Sequence, residues 1–304
     1  MDISTVLCTY NNADRLRVTL QSLCEVAPPE GVTWELITVD NNSTDETETV
    51  VKYFCDQLPI THLFEAKQGK SCALNTGVEN AQGDLIVFID DDVKPAPNWL
   101  AAYWEAYQDR PEGYYFGGPI ESEYEGEPPD ADLLRAAFAS VSGLDYGPEP
   151  CEKPEEGYFI GLNWACPAHH LEQVGPFDES IGLNPETGGA VVGGETDLMS
   201  RLENQGVGGW YVPGARLRHF VPASKATLEH IVSRKVATAV SNMYDTESST
   251  PTTVLGLPLG LYKEAALHWA DWVLRWVTGR MWKAEYSSWR VWAERVRACH
   301  RRGS

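Results

Sequence analysis

The 304-residue chain lacks any apolar run of the roughly 18 to 20 residues that would span a bilayer. It begins MDISTVLCTYNN, without a basic stretch followed by an apolar segment, so we expect no secretory signal. None of its cysteines forms a CxxC pair, which disfavours both a zinc site and a disulfide framework; they stand at positions 8, 24, 55, 72, 151, 166 and 299. These absences predict a cytoplasmic protein with reduced cysteines.

Positive charge is also scarce, because 24 Lys and Arg residues stand against 44 Asp and Glu residues, for a formal net charge of −20. Nucleic-acid binding needs a basic surface, so this balance disfavours a nucleic-acid partner. Residues 261–304 are the exception, with nine Lys and Arg against four Asp and Glu and with six of the eleven tryptophans. Their local charge is +5, which leaves −25 for the preceding 260 residues. We therefore predict a main domain at residues 1–235 and a C-terminal helical module at residues 236–304.

The first hundred residues alternate strand and helix patterns. ISTVLCTY, WELITVD and LIVFID are short β-rich runs, and the segments between them, such as ADRLRVTLQSLCEV, have apolar residues at helical spacing. This alternation predicts an α/β fold with a mostly parallel central sheet. Ligands bind at the carboxyl ends of the strands in such sheets. Thr9, Asp40 and Asp90 are expected at those ends.

The tripeptide Gly69-Lys70-Ser71 matches the end of a phosphate-binding P-loop. That loop requires a glycine five residues before the Gly-Lys pair, and Phe64 occupies this position. We therefore do not expect an ATPase or a GTPase.

Three aspartates, Asp90, Asp91 and Asp92, directly follow the apolar run LIVFI. Adjacent carboxylates stay ionised together only if a cation offsets their repulsion. Mg²⁺ and Mn²⁺ prefer oxygen ligands and also bind phosphates. The alternative is a solvated acidic turn before Pro95 and Pro97, but the position at a strand end favours a site for Mn²⁺ or Mg²⁺.

Several segments occur in a characteristic order over most of residues 1–235: CTYNN (8–12), TVDNNSTDET (38–47), GKSCALNTGVENAQGDLIVFIDDDVKP (69–95), VGPFDESIG (174–182), GGETDLMSRL (193–202) and HFVPASK (219–225). Together they resemble the family-2 glycosyltransferases with the GT-A fold. The resemblance implies that residues 1–235 form a GT-A nucleotide-sugar-binding catalytic domain. It further implies an inverting, metal-dependent enzyme that moves one sugar from a nucleoside-diphosphate sugar, most often UDP-linked, to a hydroxyl acceptor, such as a lipid-linked glycan or polysaccharide precursor.

The resemblance also assigns residues to the sugar-nucleotide donor. Contacts to the base and ribose are expected from Thr9, Tyr10, Asn11, Asp40 and Asp91, with turn formation as the alternative for Tyr10 and Asn11. Asp90 would orient its neighbours, and positive charge near the donor phosphates would come from Lys70, Lys225 and Arg234. Asp92 and His219 would be the metal ligands.

A general base is needed to activate the acceptor hydroxyl, and a carboxylate with a raised pKa suits this role. Glu195 falls where relatives have the base, usually the aspartate of a Glu-Asp pair. This chain departs from that pattern with Gly194 and Glu195, so Asp197 is a second candidate. For both acids, the alternative is a residue that opens a helix and favours its dipole.

The middle of the chain resembles an acceptor-binding region in GYFIGLNWACPAHH (157–170). Gly161, Asn163 and Trp164 are expected to face the acceptor sugar, with burial as the alternative for Trp164. Asp130 and Asp132 have no preceding strand and are predicted to lie on a solvated surface.

The last 44 residues are predicted to form two helices broken near Thr278 and Gly279. In the first, Leu261, Ala265, Trp269, Trp272 and Trp276 recur at helical spacing, with Arg275 and Arg280 nearby. Tryptophans beside cations suit an anionic membrane surface, so peripheral attachment at the inner face of a membrane is one interpretation. Packing against the main domain or a second subunit is the other.

Two further functions from other classes stay open. A metal-dependent nucleotidyltransferase would use a similar acidic cluster but release pyrophosphate, and an inactive sugar-nucleotide-binding protein would bind the donor without turnover. Processive synthases of the resembled family have a Gln-x-x-Arg-Trp motif. Arg275 and Trp276 occur here without the glutamine, so the addition of single sugars is favoured.

Overall fold

The computed structural model describes residues 1–110, 112–183, 190–191, 193–241, 253–254 and 257–302. The helices are α1 Ala13–Leu23, α2 Thr47–Phe54, α3 Lys70–Glu79, α4 Trp99–Asp109, α5 Ala131–Ala136, α6 Ala139–Ser142, α7 Ala168–Val174, α8 Gly194–Asn204, α9 Leu228–Ser241, α10 Leu259–Val277 and α11 Lys283–Arg302. The strands are β1 Ile3–Thr9, β2 Trp34–Asp40, β3 Ile60–Phe64, β4 Leu85–Ile89, β5 Val93–Pro95, β6 Tyr114–Gly117, β7 Ile120–Tyr124, β8 Cys151–Glu152, β9 Asn163–Pro167, β10 Gly182–Leu183, β11 Ala190–Val191, β12 Gly208–Tyr211, β13 Leu217–Val221, β14 Thr253–Val254 and β15 Leu257–Pro258.

Two compact units divide these elements. Residues 1–123 and 143–220 form the first, and residues 124–142 and 221–304 form the second. The predicted boundary after residue 235 differs from this division, which groups residues 221–235 with the C-terminal helices.

An eight-stranded sheet in the order β3-β2-β1-β4-β9-β6-β12-β8 organises the first unit. The first four strands of this order run parallel, as the alternating pattern predicted, and β9 is antiparallel to both of its neighbours. Every residue of β4 is buried, which explains why its sequence is a continuous apolar run. Because β1, β2 and β4 are parallel, their carboxyl ends lie at one edge of the sheet. The α/β fold with a mostly parallel central sheet is confirmed.

Asn163 and Trp164 were expected to face an acceptor sugar, and that prediction is wrong. Trp164 is fully buried and stacks on Phe88 of the neighbouring strand, with ring centroids 4.3 Å apart.

Asn163 is also fully buried, and its amide is satisfied by four hydrogen bonds. Its oxygen accepts from Trp99 Nε1 and the Tyr103 hydroxyl, both at 2.8 Å. Its nitrogen donates to the carbonyls of Pro119 and Ala215 at 3.0 and 2.9 Å. The side chain therefore joins four segments inside the core.

Asn163→Ala is expected to lower the free energy of unfolding by about 3–5 kcal/mol, because each buried polar partner left unsatisfied costs roughly 1–3 kcal/mol. Asn80→Ala is the control, since Asn80 is exposed and makes one local bond to the Thr76 carbonyl. Urea unfolding of the two variants measures the difference. A loss below about 1 kcal/mol in Asn163→Ala would show that the four bonds do not stabilise the fold.

The second unit has its own apolar core. Its buried side chains are Leu133, Ala136, Val141, Val221 and Ile231.

Asp132, predicted to lie on a solvated surface, is buried in this unit instead. Its carboxylate accepts from the backbone N–H groups of Trp282 and Lys283 at 2.7 and 2.8 Å, at the start of α11. No local sequence pattern predicts this long-range helix cap. Asp130 is exposed and caps α5 through the Leu133 N–H, so the surface prediction holds for that residue alone.

Helices α10 and α11 form a helical hairpin in the second unit, with the break at the predicted position after Val277. Trp272 of α10 stacks on Trp289 of α11, with centroids 4.9 Å apart, and Arg275 pairs with Glu285. Trp269 and Trp276 are 50% and 60% exposed, so the predicted tryptophan stripe is divided between a packed and an exposed side. Within the described residues, no helix combines the length and apolar content needed to cross a membrane.

Candidate active site

The three aspartates after β4 lie at the carboxyl-end edge of the parallel sheet, and each has a different partner. Lys70 pairs with Asp90, the Thr9 hydroxyl donates to Asp91, and His219 faces Asp92. The backbone of the cluster is fixed by Thr19 of α1, whose hydroxyl lies 2.8 Å from the Asp91 carbonyl and accepts from the Val93 N–H. These separate partners oppose the repulsion among the carboxylates without cancelling it.

Asp91 is held by two hydrogen bonds. Its Oδ2 accepts from the Thr9 hydroxyl at 2.6 Å and its Oδ1 from Asn12 Nδ2 at 2.8 Å. Burial and the nearby charge of Asp92 raise the pKa of Asp91 to about 7, although the two hydrogen bonds oppose the shift. Any cation that binds beside the cluster would favour its ionised form.

Lys70, the first residue of α3, bridges two acids from different parts of the chain. Its Nζ lies 2.7 Å from both Asp90 Oδ1 and Glu195 Oε1. Burial opposes the ammonium charge, but Asp90 and Glu195 raise the pKa of Lys70 well above its ordinary value. Burial, together with the charges of Asp92 and Glu195, outweighs Lys70 and raises the pKa of Asp90. Lys70 is therefore charged and holds the aspartate cluster beside Glu195.

Glu195 and Asp197, the two candidates for the base, have different surroundings. Glu195 contacts Lys70, and although burial opposes ionisation, the charge of Lys70 lowers the pKa of Glu195 below its ordinary value. The pKa of Glu195 is therefore lowered, whereas a raised pKa was expected for the general base. Asp197 pairs with Arg201 one helical turn away at 2.9 Å, and Arg201 also donates to the carbonyls of Val174 and Pro176. Asp197 thus supports the loop after α7, whereas Glu195 faces the aspartate cluster.

Asp92 and His219 are suited to hold a divalent metal. Their Oδ2 and Nε2 atoms are 3.4 Å apart, because β13 pairs antiparallel with β5 and brings His219 opposite Val93. Among the described residues, His219 Nδ1 is buried without a hydrogen-bond partner, so the one polar contact of the imidazole is toward Asp92. Carboxylate oxygens suit Mg²⁺ and Mn²⁺, and imidazole nitrogen is a common ligand of divalent transition metals. No group of three or more His, Cys, Asp or Glu side chains in the described ranges could hold a metal alone, so further ligands would have to come from a substrate or from water.

The residues expected at the base and ribose border the same edge of the sheet. Thr9 and Asp40 are register partners at the ends of β1 and β2. Asp40 is buried, and its carboxylate accepts from the Ser43 N–H at 2.9 Å. Asn11 adopts a positive φ of 48° and accepts from the Thr44 N–H, so it forms a turn, while Tyr10 is 38% exposed. The turn interpretation therefore has direct support for Asn11.

Lys225 and Arg234, predicted to reach the donor phosphates, belong to the second unit. Lys225 is exposed. Arg234 donates to the Ser140 hydroxyl and stacks on Phe138 at 4.9 Å, and its burial lowers the pKa of its guanidinium. Their placement near the phosphates stays a prediction.

Three residues that support the site were not identified from the sequence. Asn12 and Thr19 contact Asp91, and the buried Asn41 accepts from the Gly69 N–H at 2.8 Å, which fixes the start of α3. Thr19 had a recognisable signal, because it is a polar residue on the buried face of α1. Asn12 and Asn41 stand beside residues already selected, but nothing in the sequence showed which way their amides point.

Comparison with known proteins gives one family. The family model described as "Glycosyl transferase family 2" matches residues 4–146. Glycosyltransferase AglE of Haloferax volcanii is 31% identical over 101 residues, which are 32% of this chain and 33% of that protein. The glucosyl-dolichyl phosphate glucuronosyltransferase of the same organism is 25% identical over 186 residues, 60% of this chain and 58% of that protein. The matched regions thus span about a third to three fifths of the length of these relatives.

Solved structures share the fold. A mannosyltransferase from Pyrobaculum calidifontis, in complex with GDP-Man and Mn²⁺, aligns with a TM-score of 0.60 and 19% identity over 97% of this chain and 85% of its own. TarS 1–349 from S. aureus, in complex with UDP-GlcNAc, aligns with a TM-score of 0.53 and 14% identity over 82% of this chain and 68% of its own. At these identities the similarity establishes the GT-A fold.

Proposed function

Because the family model described as "Glycosyl transferase family 2" matches residues 4–146, we propose that the chain is a glycosyltransferase of this family, which transfers a single sugar from a nucleoside-diphosphate sugar to a hydroxyl acceptor with inversion at the anomeric carbon. The observation that carries this proposal is the meeting of three groups at one edge of the sheet: the aspartate cluster, the Asp92–His219 pair and Glu195. This arrangement supports a binding site for an anionic donor next to a candidate base.

The chemistry assigns a role to each group. A divalent ion held by Asp92 and His219 would stabilise the negative charge that develops on the departing diphosphate. Asp91, fixed by Thr9 and Asn12, would accept a hydrogen bond from the ribose. Glu195 would take the proton of the acceptor hydroxyl as that oxygen attacks the anomeric carbon. A single base and one displacement produce inversion, because the nucleotide leaves from the opposite face.

The donor nucleotide is a finer part of the proposal. The two similar structures hold GDP-Man and UDP-GlcNAc, so the shared fold accepts different bases. We propose a UDP-linked donor on the resemblance of the segments around Asp40 and Asp91. The lipid-phosphate substrate in the name of one relative supports a lipid-linked acceptor.

A donor screen tests the proposed function. Purified protein is incubated with UDP- and GDP-linked sugars and Mn²⁺ or Mg²⁺, with and without lipid and glycan extracts, and released nucleoside diphosphate is measured. Metal-dependent release that requires an extract supports transfer. Pyrophosphate release from a nucleoside triphosphate would identify a nucleotidyltransferase instead, and donor binding without turnover would identify an inactive binding protein.

We also propose that α10 binds the surface of an anionic membrane. Within residues 262–277 of α10, for which side-chain burial is described, eight residues are exposed. Seven of these are apolar, Ala266, Leu267, Trp269, Ala270, Leu274, Trp276 and Val277, and the eighth is Lys263. An apolar helix face of this size is unusual at a surface in contact with water. Residues 261–304 carry a net +5 in a chain of net −20, so this is the segment that an anionic headgroup layer would attract.

The double substitution Trp269→Ser/Trp276→Ser is expected to reduce vesicle binding about tenfold or more, because the burial of each large apolar side chain contributes roughly 1.5–3 kcal/mol to the binding free energy. Flotation with phosphatidylglycerol vesicles at low salt measures this effect. Tyr53→Ser/Phe64→Ser is the matched control, since these aromatics are 63% and 60% exposed in the first unit. If the parent stays in the bottom fraction, or if the tryptophan variant instead dissociates a dimer in light scattering, the membrane proposal is wrong.

A further inference from the structure

Lys70 contacts two carboxylates that lie far apart in the sequence, and both contacts are short. Its Nζ lies 2.7 Å from Asp90 Oδ1, after β4, and 2.7 Å from Glu195 Oε1, on α8. The side chains of Lys70, Asp90 and Glu195 are 22%, 27% and 15% exposed, so little solvent screens them. In this setting the ammonium group is the direct link between the aspartate cluster and Glu195.

The backbone at the starts of α3 and α8 allows these two helices to approach each other closely. Helices α3 and α8 both begin after glycines with positive φ, Gly69 at 143° and Gly193 at 133°. A Cβ on Gly194 would lie 2.8 Å from the Ser71 hydroxyl oxygen. The starts of the two helices are therefore in contact, which places Lys70 and Glu195 side by side.

The Glu195 side chain also lies against the backbone of Gly161. A Cβ at this position would lie 2.3 Å from Glu195 Oε1 and 2.5 Å from its Cδ. The carboxylate thus occupies space that is free because residue 161 has no side chain. The contact with Lys70 and the close approach of Gly161 together restrict the position of this carboxylate.

We infer that Lys70 is a positioning residue, which holds Glu195 at a fixed place beside the aspartate cluster so that the base is in position before the acceptor binds. This inference rests on the proposed function, in which Glu195 is the base. Without Lys70, the carboxylates of Asp90 and Glu195 would face each other with no cation between them. Repulsion and burial would then move Glu195 or favour its protonated form.

The test compares Lys70→Met, Lys70→Arg and Lys67→Met with the parent over a range of pH, using the donor identified by the screen. Lys67 is a matched control because its exposed ammonium pairs with Glu179 and does not contact Glu195. Lys70→Met is expected to lower kcat about tenfold or more and to move the acid limb of the kcat/KM profile to higher pH, because burial raises the pKa of Glu195 once the opposing charge of Lys70 is gone. Lys70→Arg should restore much of both properties, and Lys67→Met should match the parent.

The outcomes separate this inference from the proposed function. If the parent shows no transfer with any donor, the proposed function fails. If the parent is active and Lys70→Met raises the KM for the donor but leaves kcat and the acid limb unchanged, Lys70 binds donor phosphate and the inference is wrong.

Gly161→Ala covers the case in which Lys70→Met does not fold. The added methyl group would displace the Glu195 carboxylate without removing a charge. It should lower kcat about tenfold with an unchanged KM for the donor and little change in Tm. Parent-like kcat in this variant would contradict the restricted placement of the base.

Discussion

Asp92→Asn is expected to lower turnover about 10³-fold or more. The substitution keeps the size of the side chain but removes the negative charge that faces His219 at 3.4 Å. Weaker metal binding would remove several kcal/mol of stabilisation from the departing diphosphate, and about 1.4 kcal/mol corresponds to each tenfold in rate. A chelator should have the same effect on the parent, and Mn²⁺ should reverse it.

The control for this substitution is Asp56→Asn, which removes an exposed carboxylate in the first unit. Its turnover should match that of the parent. Calorimetric titration of Mn²⁺ in the presence of nucleoside diphosphate gives a readout that does not depend on activity, and Asp92→Asn should lose that binding. Full activity of the parent after exhaustive chelation would mean that the aspartate cluster does not act through a metal.

Glu195→Gln is expected to lower kcat about 10²-fold or more while the donor Kd stays within about threefold. Glutamine preserves the shape and can still accept a hydrogen bond from Lys70, but it cannot take up the acceptor proton. Asp197→Asn should have a much smaller effect on kcat, because Asp197 pairs with Arg201 and not with Lys70. Strong loss in Asp197→Asn with near-normal Glu195→Gln would move the base to Asp197.

The pH dependence of the parent follows from the same contact. Because the charge of Lys70 outweighs burial and lowers the pKa of Glu195, the base is ionised at neutral pH and loses this form only as the pH falls below the ordinary glutamate range. The acid limb of kcat/KM should therefore lie below about pH 4.3. A limb near pH 7 that moves to lower pH as the Mn²⁺ concentration is raised would report Asp91, whose pKa burial raises to about 7. A limb near pH 6 or 7 that persists at saturating Mn²⁺ would indicate a different base.

The parts of the site that follow directly on a strand could be predicted from the sequence. Thr9, Asp40 and the aspartates end apolar runs, and parallel strands bring such ends to one edge of a sheet. The link between Lys70 and Glu195 could not be predicted in this way, because it depends on how α3 and α8 pack. The position of His219 likewise depends on the pairing of β13 with β5, two short strands far apart in the sequence.

Two residues that were predicted to face the acceptor are instead buried in the core. Asn163 and Trp164 stand next to a polar, glycine-containing segment, and a tryptophan beside an asparagine is a plausible sugar contact. Their strand is covered on both faces, so even the polar residue is buried, and its bonds are made to residues of α4 and of two distant loops. One sequence cannot distinguish a buried asparagine with four internal partners from an exposed one, because the partners are contributed by the tertiary fold.

Product analysis tests the central claim, which is the transfer of one sugar at the site formed by Asp92, His219 and Glu195. The parent is incubated with its donor, Mn²⁺ and the acceptor fraction found in the screen, and the products are measured by mass spectrometry. We expect the acceptor to gain the mass of one sugar and nucleoside diphosphate to appear in equal amount, with neither product formed by Asp92→Asn. Nucleotide release without any gain of acceptor mass, or an equal yield from Asp92→Asn, would contradict the account.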